Sequence, residues 1–335
     1  MNRRNFLKAA AAVGVMAPGR VRAAAPGAWA GWTQTYLRDG RVVDWQQGAI
    51  SHSEGQGYGL LLAQAEGDRA RFDQIEHWTR SHLAQRRDSL MAWKWQPEKG
   101  VTDWHTATDG DLFRAWALLR AARDSGWAGH LETAIAIARD ITALCLAPDP
   151  RAGAEWLLLP GAEARKTDDN VLFNPSYIMP RALRELGQAA GEPRLIRAAD
   201  HGETVLAELA AKGHLPDWTD ITAAGFAVPP AHDGGWGYDA LRIPLYLAWS
   251  GGRDHPAVAL ALRRLREGAT PGHLVVRAAP DGQIRTQSDR PGFHALAAVA
   301  ECSPLPHQPV QARDYYPDTL LMLSQVALRE GGCVL

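Results

Sequence analysis

Ser53-Glu54-Gly55-Gln56-Gly57-Tyr58-Gly59-Leu60 is the stretch around which the chain is organised. One carboxylate lies among three glycines spaced by two, just before a run of leucines. Glycine permits backbone conformations with positive φ and lets another group approach the backbone closely. We therefore predict that Glu54 lies at the entrance of a helix near residues 57–67 and faces a ligand.

Two later segments repeat this arrangement of an acid at the start of an apolar-periodic stretch. They are Ala107-Thr108-Asp109-Gly110-Asp111 and Gly237-Tyr238-Asp239-Ala240-Leu241-Arg242. Three acids at three helix entrances predict one polar cleft lined by loops. On spacing alone, Asp109 is as well explained as the N-cap of its own helix, and Asp111 is interpreted as structural.

Composition excludes several classes of protein. The chain has 335 residues, of which 46% are hydrophobic and 22% are charged, as is usual for a globular protein. Its formal net charge of −1 argues against a nucleic-acid partner, because nucleic-acid binders usually carry a basic face. The histidines and cysteines do not follow the spacings of common metal motifs, so we expect neither a metal nor a cofactor. The 13 tryptophans offer flat surfaces for a core and for stacking on ligands.

The three cysteines leave at least one thiol unpaired whatever disulfide forms. Cys145 lies in an apolar helical run and is interpreted as a buried thiol. Cys302 and Cys333 would pair in an oxidising compartment, and the sequence leaves that pairing open.

The N-terminus has the pattern of an export signal. Asn2-Arg3-Arg4-Asn5-Phe6-Leu7-Lys8 is a twin-arginine pattern, and a short apolar run and Val21-Arg22-Ala23 follow it. The apolar run is too short to cross a bilayer as a permanent anchor. We therefore predict a cleaved signal peptide of residues 1–23, a single catalytic domain of residues 24–335, and a periplasmic or secreted protein without a membrane anchor.

Helical periodicity predominates along the rest of the chain. Leu112, Trp116 and Leu119, for example, recur on one face of a predicted helix. The predicted helices cover residues 29–37, 57–67, 69–85, 110–124, 128–147, 175–190, 193–211, 239–250, 255–266, 290–300 and 314–329. The long connections cover about residues 86–109, 148–174, 212–238 and 267–289, with a hairpin strand near 274–277. Long loops are usually functional, and the absence of a repeat period argues against an open solenoid. The pattern favours an all-α closed toroid of paired helices with its active face built from these loops.

Paired acids in a cleft with tryptophans indicate cleavage of glycosidic bonds. That reaction needs one carboxylic acid to protonate the leaving oxygen and one carboxylate to activate water or to attack. Glu54 suits the acid role, because burial beside apolar and aromatic groups raises the pKa of a carboxyl group. Asp239 suits the base role, because Arg242, one helical turn later, would keep it ionised.

An ordered set of segments resembles a known family. Besides the three segments quoted above, it comprises Asn174-Pro175-Ser176-Tyr177, Pro216-Asp217-Trp218, the extension Ile243-Pro244 and Asp314-Tyr315-Tyr316. Over residues 29–328 the chain resembles glycoside hydrolase family 8, which includes bacterial endoglucanases, chitosanases and xylanases. Within that family it is most similar to the periplasmic endo-1,4-β-glucanases encoded with bacterial cellulose synthase.

The resemblance implies an (α/α)6 barrel and an inverting mechanism. Carried over by position, Glu54 would be the general acid, Asp239 the general base, and Asp109 would bind and distort the sugar at the cleavage subsite. The implied substrate-binding residues are Tyr177, Arg242, Trp104, Trp236, Asn174, Ser176 and Tyr238. An inverting mechanism separates its two carboxyl groups by roughly 6.5–9.5 Å, which leaves room for a water molecule.

The implied activity is that of a cellulase acting on cellulose or soluble β-glucan during bacterial cellulose biosynthesis. A chitosanase or xylanase of the same family and a non-catalytic glucan-binding protein stay open as alternatives; a chitosanase would need extra cleft carboxylates for ammonium groups. A Ser–His–acid triad is not supported, because His52, Ser53 and Glu54 are adjacent in sequence. The expected partner is a β-1,4-glucan chain, a cellulose synthase complex is a candidate partner, and we expect a monomer.

Overall fold

The structure, a computed structural model, describes residues 27–306, 314–331 and 333. The predicted signal peptide of residues 1–23 lies outside this described part. Eleven α-helices are present within it, and none of them is both long and apolar enough to cross a bilayer. They are α1 Ala28–Tyr36, α2 Ser53–Ala65, α3 Arg69–His82, α4 Thr108–Arg123, α5 Leu131–Leu144, α6 Pro180–Ala190, α7 Pro193–Ala211, α8 Ile243–Trp249, α9 Pro256–Arg266, α10 Pro291–Ala300 and α11 Tyr315–Glu330.

Six of these helices form a closed ring. In the order α2, α4, α6, α8, α10 and α11, each helix contacts the next, and α11 returns to α2. The helices α3, α5, α7 and α9 pack outside α2, α4, α6 and α8, respectively, and α1 packs against α11. Burial follows this division, since 14 of the 16 residues of α4 are buried but only five of the 14 residues of α3. The prediction of an all-α fold with an (α/α)6 barrel is confirmed.

Large aromatic side chains pack between the helices of the barrel. Trp116 and Trp249 are buried, and their ring centroids lie 5.2 Å apart in an edge-to-face arrangement that joins α4 to α8. Trp32 is also fully buried, and its indole nitrogen donates a hydrogen bond to Thr319 Oγ1 at 3.0 Å. Several of the tryptophans therefore stabilise the barrel, because a buried indole contributes a large apolar surface when its N–H group has a partner.

The stretch of residues 53–60 determines how closely α2 packs against α4. A Cβ atom on Gly57 would lie 2.8 Å from the carbonyl oxygen of Gly110, and one on Gly110 would lie 2.5 Å from Ser53 Oγ. Both distances are too short for a side chain, so only glycine allows this approach. Gly57 lies inside α2 rather than in a turn with positive φ. Of the two properties of glycine, the close approach is therefore the one used here, and it brings the first turns of the two helices together.

Thirteen short strands lie in the connections between the helices of the described part. They are β1 Leu37–Arg38, β2 Arg41–Val42, β3 Ser51–His52, β4 Lys94–Gln96, β5 Gly100–Asp103, β6 Leu146–Asp149, β7 Ala152–Leu158, β8 Lys166–Thr167, β9 Asn170–Phe173, β10 Thr219–Thr222, β11 Gly225–Ala227, β12 Leu274–Ala278 and β13 Ile284–Ser288. They form antiparallel sheets with the orders β1-β2, β3-β4-β5, β6-β7, β11-β10-β9-β8 and β12-β13. The β12-β13 hairpin confirms the strand predicted near residue 274.

Several predicted helices have different boundaries in the structure, and two of them illustrate the causes. The helix predicted over 128–147 ends at Leu144, and the residues after it form β6, which pairs with β7. The segment predicted as one helix over 175–190 begins with a short 3-10 turn, and α6 starts at Pro180. Proline lacks an N–H group, which suits it to the first turn of a helix but not to the interior.

The cysteines adopt the two states that the sequence suggested. Cys302 and Cys333 form a disulfide, which joins the end of α10 to the chain that follows α11. Cys145 is free and buried at the end of α5, and burial raises the pKa of its thiol to about 12. The interpretation of Cys145 as a buried thiol is confirmed.

Candidate active site

A cavity of about 840 Å³ opens where the inner helices begin. Its wall includes Glu54 from the first turn of α2 and Tyr315 from the first turn of α11. Tyr177, from the 3-10 turn before α6, and Asp239 and Arg242, just before α8, also line it. The helix entrances singled out in the sequence therefore face one common cavity.

Arg242 lies buried at the centre of this site. Its Nη1 atom donates to Glu54 Oε2 at 2.6 Å and to Asp109 Oδ2 at 3.0 Å. Its Nη2 atom donates to Asp239 Oδ1 at 2.5 Å and to Ser176 Oγ at 2.8 Å. A planar guanidinium group thus holds three carboxylates in fixed directions. Among the described residues, no three His, Cys, Asp or Glu side chains are grouped so that they could hold a metal ion.

Glu54 is presented to the cavity by the N-terminal end of α2. His52 caps that helix, since its Nδ1 atom accepts a hydrogen bond from the backbone N–H of Gly55 at 3.0 Å. The cap explains why α2 begins at residue 53, earlier than predicted. The carboxylate faces Arg242 and Asp109, so the expectation of mainly apolar surroundings for Glu54 is wrong.

Asp109 lies behind Glu54, in the first turn of α4. Its side chain is only 2% exposed and does not line the cavity. The N-cap position belongs to Ala107, so the alternative in which Asp109 caps its own helix is wrong. Burial and the neighbouring charge of Glu54 raise the pKa of Asp109 to about 7, although Arg242 acts in the opposite direction. The predicted contact of Asp109 with a sugar stays a prediction.

Asp239 is partly exposed to the cavity and lies in a polar environment. Burial raises the pKa of its carboxyl group, and the charge of Asp109 adds to that effect. Arg242 and the side chains of Asn174 and Trp218 lower the pKa of Asp239 but do not outweigh burial. Arg242 alone therefore does not set the ionisation of Asp239, contrary to the sequence-based expectation.

Two predicted substrate-binding residues lie behind the wall. Asn174 and Ser176 are fully buried, and Asn174 Oδ1 accepts hydrogen bonds from the backbone N–H and the hydroxyl of Ser176 at 3.0 and 2.8 Å. Ser176 contacts Arg242, and Asn174 contacts the Asp239 carboxylate. Neither residue reaches the cavity, so the expectation of direct binding is wrong for both. Tyr177 and Tyr238 do line the cavity, and the ring centroid of Tyr177 lies 5.7 Å from Arg242 Cζ.

The two tryptophans predicted to line the cleft are absent from its wall. Trp236 is 6% exposed, and its indole nitrogen donates to the carbonyl oxygen of Val275 at 3.3 Å, so it belongs to the core. Trp104 is 52% exposed, whereas its neighbours Asp103 and His105 line the cavity. The prediction for Trp236 is therefore wrong, because packing turns its ring into the core. Trp104 is exposed beside the cavity, and its predicted contact with a substrate stays a prediction.

Other aromatic residues line the cavity instead. The ring of Trp218 stacks on His232, with a centroid distance of 4.5 Å and an interplanar angle of 11°. Trp93 and Tyr316 also line the cavity. The sequence motif Pro216-Asp217-Trp218 singled out the position of Trp218 without giving it a role. Nothing in the sequence pattern distinguished Trp93 from the tryptophans of the core.

Comparisons with known proteins agree with this architecture. The family model for glycosyl hydrolases family 8 matches residues 5–327. A probable endoglucanase of Novacetimonas hansenii is 33% identical over 322 residues, which cover 90% of each chain. The solved structure of endo-β-1,4-glucanase CMCax from Acetobacter xylinum has a TM-score of 0.78 at 31% identity, and the match covers 92% of this chain and 99% of that one.

A second solved structure extends the comparison. Endoglucanase Cel10 from Klebsiella pneumoniae, a family 8 glycosyl hydrolase, has a TM-score of 0.82 at 26% identity. The match covers 90% of this chain and 98% of Cel10. The family model and both solved structures thus span nearly the whole barrel, including the segments that carry the three acids. The chain belongs to glycosyl hydrolase family 8.

Proposed function

We propose that this protein is an endo-1,4-β-glucanase that hydrolyses cellulose or soluble β-glucan with inversion of configuration. The observation that carries the proposal is the convergence of Glu54, Asp109 and Asp239 on the guanidinium group of Arg242 at one cavity. The endoglucanase activity named for its relatives supports the choice of bond.

The chemistry gives each of two carboxyl groups one proton transfer. Glu54 donates its proton to the glycosidic oxygen as the bond to the anomeric carbon breaks. Asp239 accepts a proton from the water that attacks the anomeric carbon from the opposite face. Arg242 lies between the two carboxyl groups and hydrogen-bonds to both, which supports the separation that an inverting mechanism requires.

The charges around the cavity favour a neutral glucan over chitosan. Apart from Glu54 and Asp239, the described residues that line the cavity include three carboxylates, and each has a basic side chain beside it. These pairs are Asp44 with His52 at 3.7 Å, Asp103 with His105 at 2.8 Å and Asp314 with Arg290 at 3.2 Å. A carboxylate that already has a basic partner is less available to the ammonium group of a glucosamine unit.

The first test is a comparison of three polysaccharides. The wild-type protein is expected to release reducing ends from carboxymethyl cellulose and to lower the viscosity of its solution quickly. It should have little action on chitosan or xylan. A preference for chitosan or xylan would overturn the proposed substrate but not the family. Failure to hydrolyse any of the three would favour the glucan-binding alternative, which the affinity for cello-oligosaccharides would then test.

Replacing Asp109 with asparagine is expected to lower kcat by about 10²-fold, because small displacements of catalytic groups have effects of this size. The substitution removes a charge beside Glu54 and a carboxylate partner of Arg242. Since Asp109 does not line the cavity, KM should change less than kcat. Steady-state kinetics on carboxymethyl cellulose checks this, and an unchanged kcat with a higher KM would instead indicate a role in binding alone.

We also propose that the protein is exported through the twin-arginine pathway to the periplasm or beyond. The sequence around Arg3 and Arg4 and the disulfide support this, since disulfides persist in oxidising compartments. Changing both arginines to lysine is expected to retain the precursor in the cytoplasm. Cell fractionation and immunoblotting check this, with Arg20→Lys as the matched control. Normal export of the double variant would contradict the proposed route.

We further propose a role in bacterial cellulose synthesis for a monomeric enzyme. The resemblance to endoglucanases encoded with cellulose synthase supports that role. Light scattering of the purified protein tests the oligomeric state, and co-purification with a cellulose synthase complex tests the partner. A stable dimer in solution, or normal cellulose production in a strain that lacks the protein, would contradict the corresponding part of the proposal.

A further inference from the structure

Asp217 lies directly beside the turn that carries Asp239, outside the set of acids described above. Its backbone N–H donates to the carbonyl oxygen of Gly235 at 2.8 Å. Its Oδ1 atom accepts a hydrogen bond from the backbone N–H of Ala240 at 2.8 Å. Asp217 therefore holds the segment of residues 235–240 at both ends, and Asp239 lies within that segment.

A glycine allows the carboxylate to approach this turn. A Cβ atom on Gly237 would lie 2.3 Å from Asp217 Oδ2, which is far inside van der Waals contact. Any other residue at position 237 would therefore displace the carboxylate or the turn. Asp217 itself does not line the cavity, so it has no direct path to a bound glucan.

We propose that Asp217 is a positioning residue for the general base, since it fixes the turn that carries Asp239. The inference rests on the proposed function, in which Asp239 activates the attacking water. Trp218, the next residue in the chain, contacts the Asp239 carboxylate itself. The pair Asp217 and Trp218 thus holds the backbone and the side chain of the base together.

The electrostatics of the two carboxyl groups agree with this geometry. Burial and the charge of Asp239 raise the pKa of Asp217 to about 7, while the N–H group of Ala240 acts in the opposite direction. Two neighbouring carboxyl groups of this kind titrate as a pair. The other titratable or charged groups that act on Asp239 or are acted on by it are Arg242, Asp109, Tyr177, His232 and Tyr316.

The substitution Asp217→Asn removes the charge of the side chain but keeps its shape. Asparagine retains an oxygen that can accept the hydrogen bond from the backbone N–H of Ala240. ¹³C NMR can follow the titration of the Asp239 carboxyl carbon without substrate. The signal of this carbon is assigned by its absence in Asp239→Asn. We expect two steps in the wild type. In Asp217→Asn we expect a single step, because the step near pH 7 that reports the ionisation of Asp217 is lost. An identical titration in both proteins would overturn the proposal.

Kinetics provide the second readout. Asp217→Asn is expected to lower kcat by about tenfold with little change in KM, because the base is displaced while the residues of the cavity wall are kept. Gly237→Ala, which keeps every ionisable group, is expected to lower kcat by displacing the carboxylate and covers the case in which Asp217→Asn does not fold. The exposed substitution Asp254→Asn is the matched control. Wild-type kcat in both test variants would overturn the positioning role.

The two readouts distinguish this inference from the proposed function. If the wild-type protein hydrolysed no glucan, the proposed function would fail, whereas the NMR titration would still decide whether Asp217 acts on the Asp239 carboxylate. If the wild type were active and the titration of Asp239 were the same in Asp217→Asn, only the inference about Asp217 would fail.

Discussion

Replacing Glu54 with glutamine is expected to lower kcat on carboxymethyl cellulose by about 10³-fold, because glutamine cannot donate the proton that the leaving oxygen requires. The amide retains an oxygen that can accept the hydrogen bond from Arg242, so the thermal unfolding midpoint should change little. The matched control is Glu132→Gln, an exposed substitution in the first turn of α5. Turnover near the wild-type rate would show that Glu54 is not the acid.

The leaving group identifies the role of Glu54 more sharply. An aryl cello-oligosaccharide whose phenol has a low pKa can depart without a proton. The deficit of Glu54→Gln should therefore become much smaller on such a substrate than on carboxymethyl cellulose. An equal deficit on both substrates would contradict the role of Glu54 as proton donor, even if the substitution inactivated the enzyme.

Replacing Asp239 with asparagine is expected to lower kcat by about 10³-fold as well, because the attacking water loses its proton acceptor. The aryl substrate should not restore this activity, since the deprotonation of water is needed whatever group departs. Asp254→Asn, which removes an exposed carboxylate, controls for the change of net charge. Near wild-type turnover in Asp239→Asn, or restoration by the aryl substrate, would contradict the role of base.

The stereochemistry of the wild-type product tests the same assignment from a second direction. Inversion at a β-linked glucose unit gives the α-anomer as the first product. Proton NMR during the first minutes of hydrolysis distinguishes the two anomers before they equilibrate. Initial release of the β-anomer would mean that Asp239 does not act through a water molecule on the opposite face.

The barrel could be predicted largely from sequence because its helices repeat simple physical signals. The periodic apolar residues of α4 and the glycine and proline residues between helices indicate where helices form and end. Strand pairing accounts for one place where the predicted helices are wrong. The residues after Leu144 form β6 because they find a partner in β7, which helical periodicity over 128–147 could not reveal.

The candidate site could be predicted only in part, because its contacts join distant segments. Glu54 and Arg242 are 188 residues apart in the chain, so their hydrogen bond is a property of the closed ring. The acids themselves were recognisable from their positions at helix entrances. The burial of a side chain is not recognisable in this way, which is why the prediction for Trp236 is wrong. Asp217 was also missed, since its importance depends on the backbone of residues 235–240.

The fork of Arg242 has a consequence for the whole catalytic cycle. Before the bond breaks, the proposed mechanism has a neutral Glu54 and a charged Asp239, and afterwards these states are exchanged. The guanidinium group donates to both, so one negative charge passes from one arm of the fork to the other while the total stays constant. No compensating ion needs to enter or leave. At the end of the reaction, however, Asp239 is protonated and Glu54 is not. Exchange with solvent must therefore deprotonate Asp239 and protonate Glu54 before a second glucan bond can be cleaved.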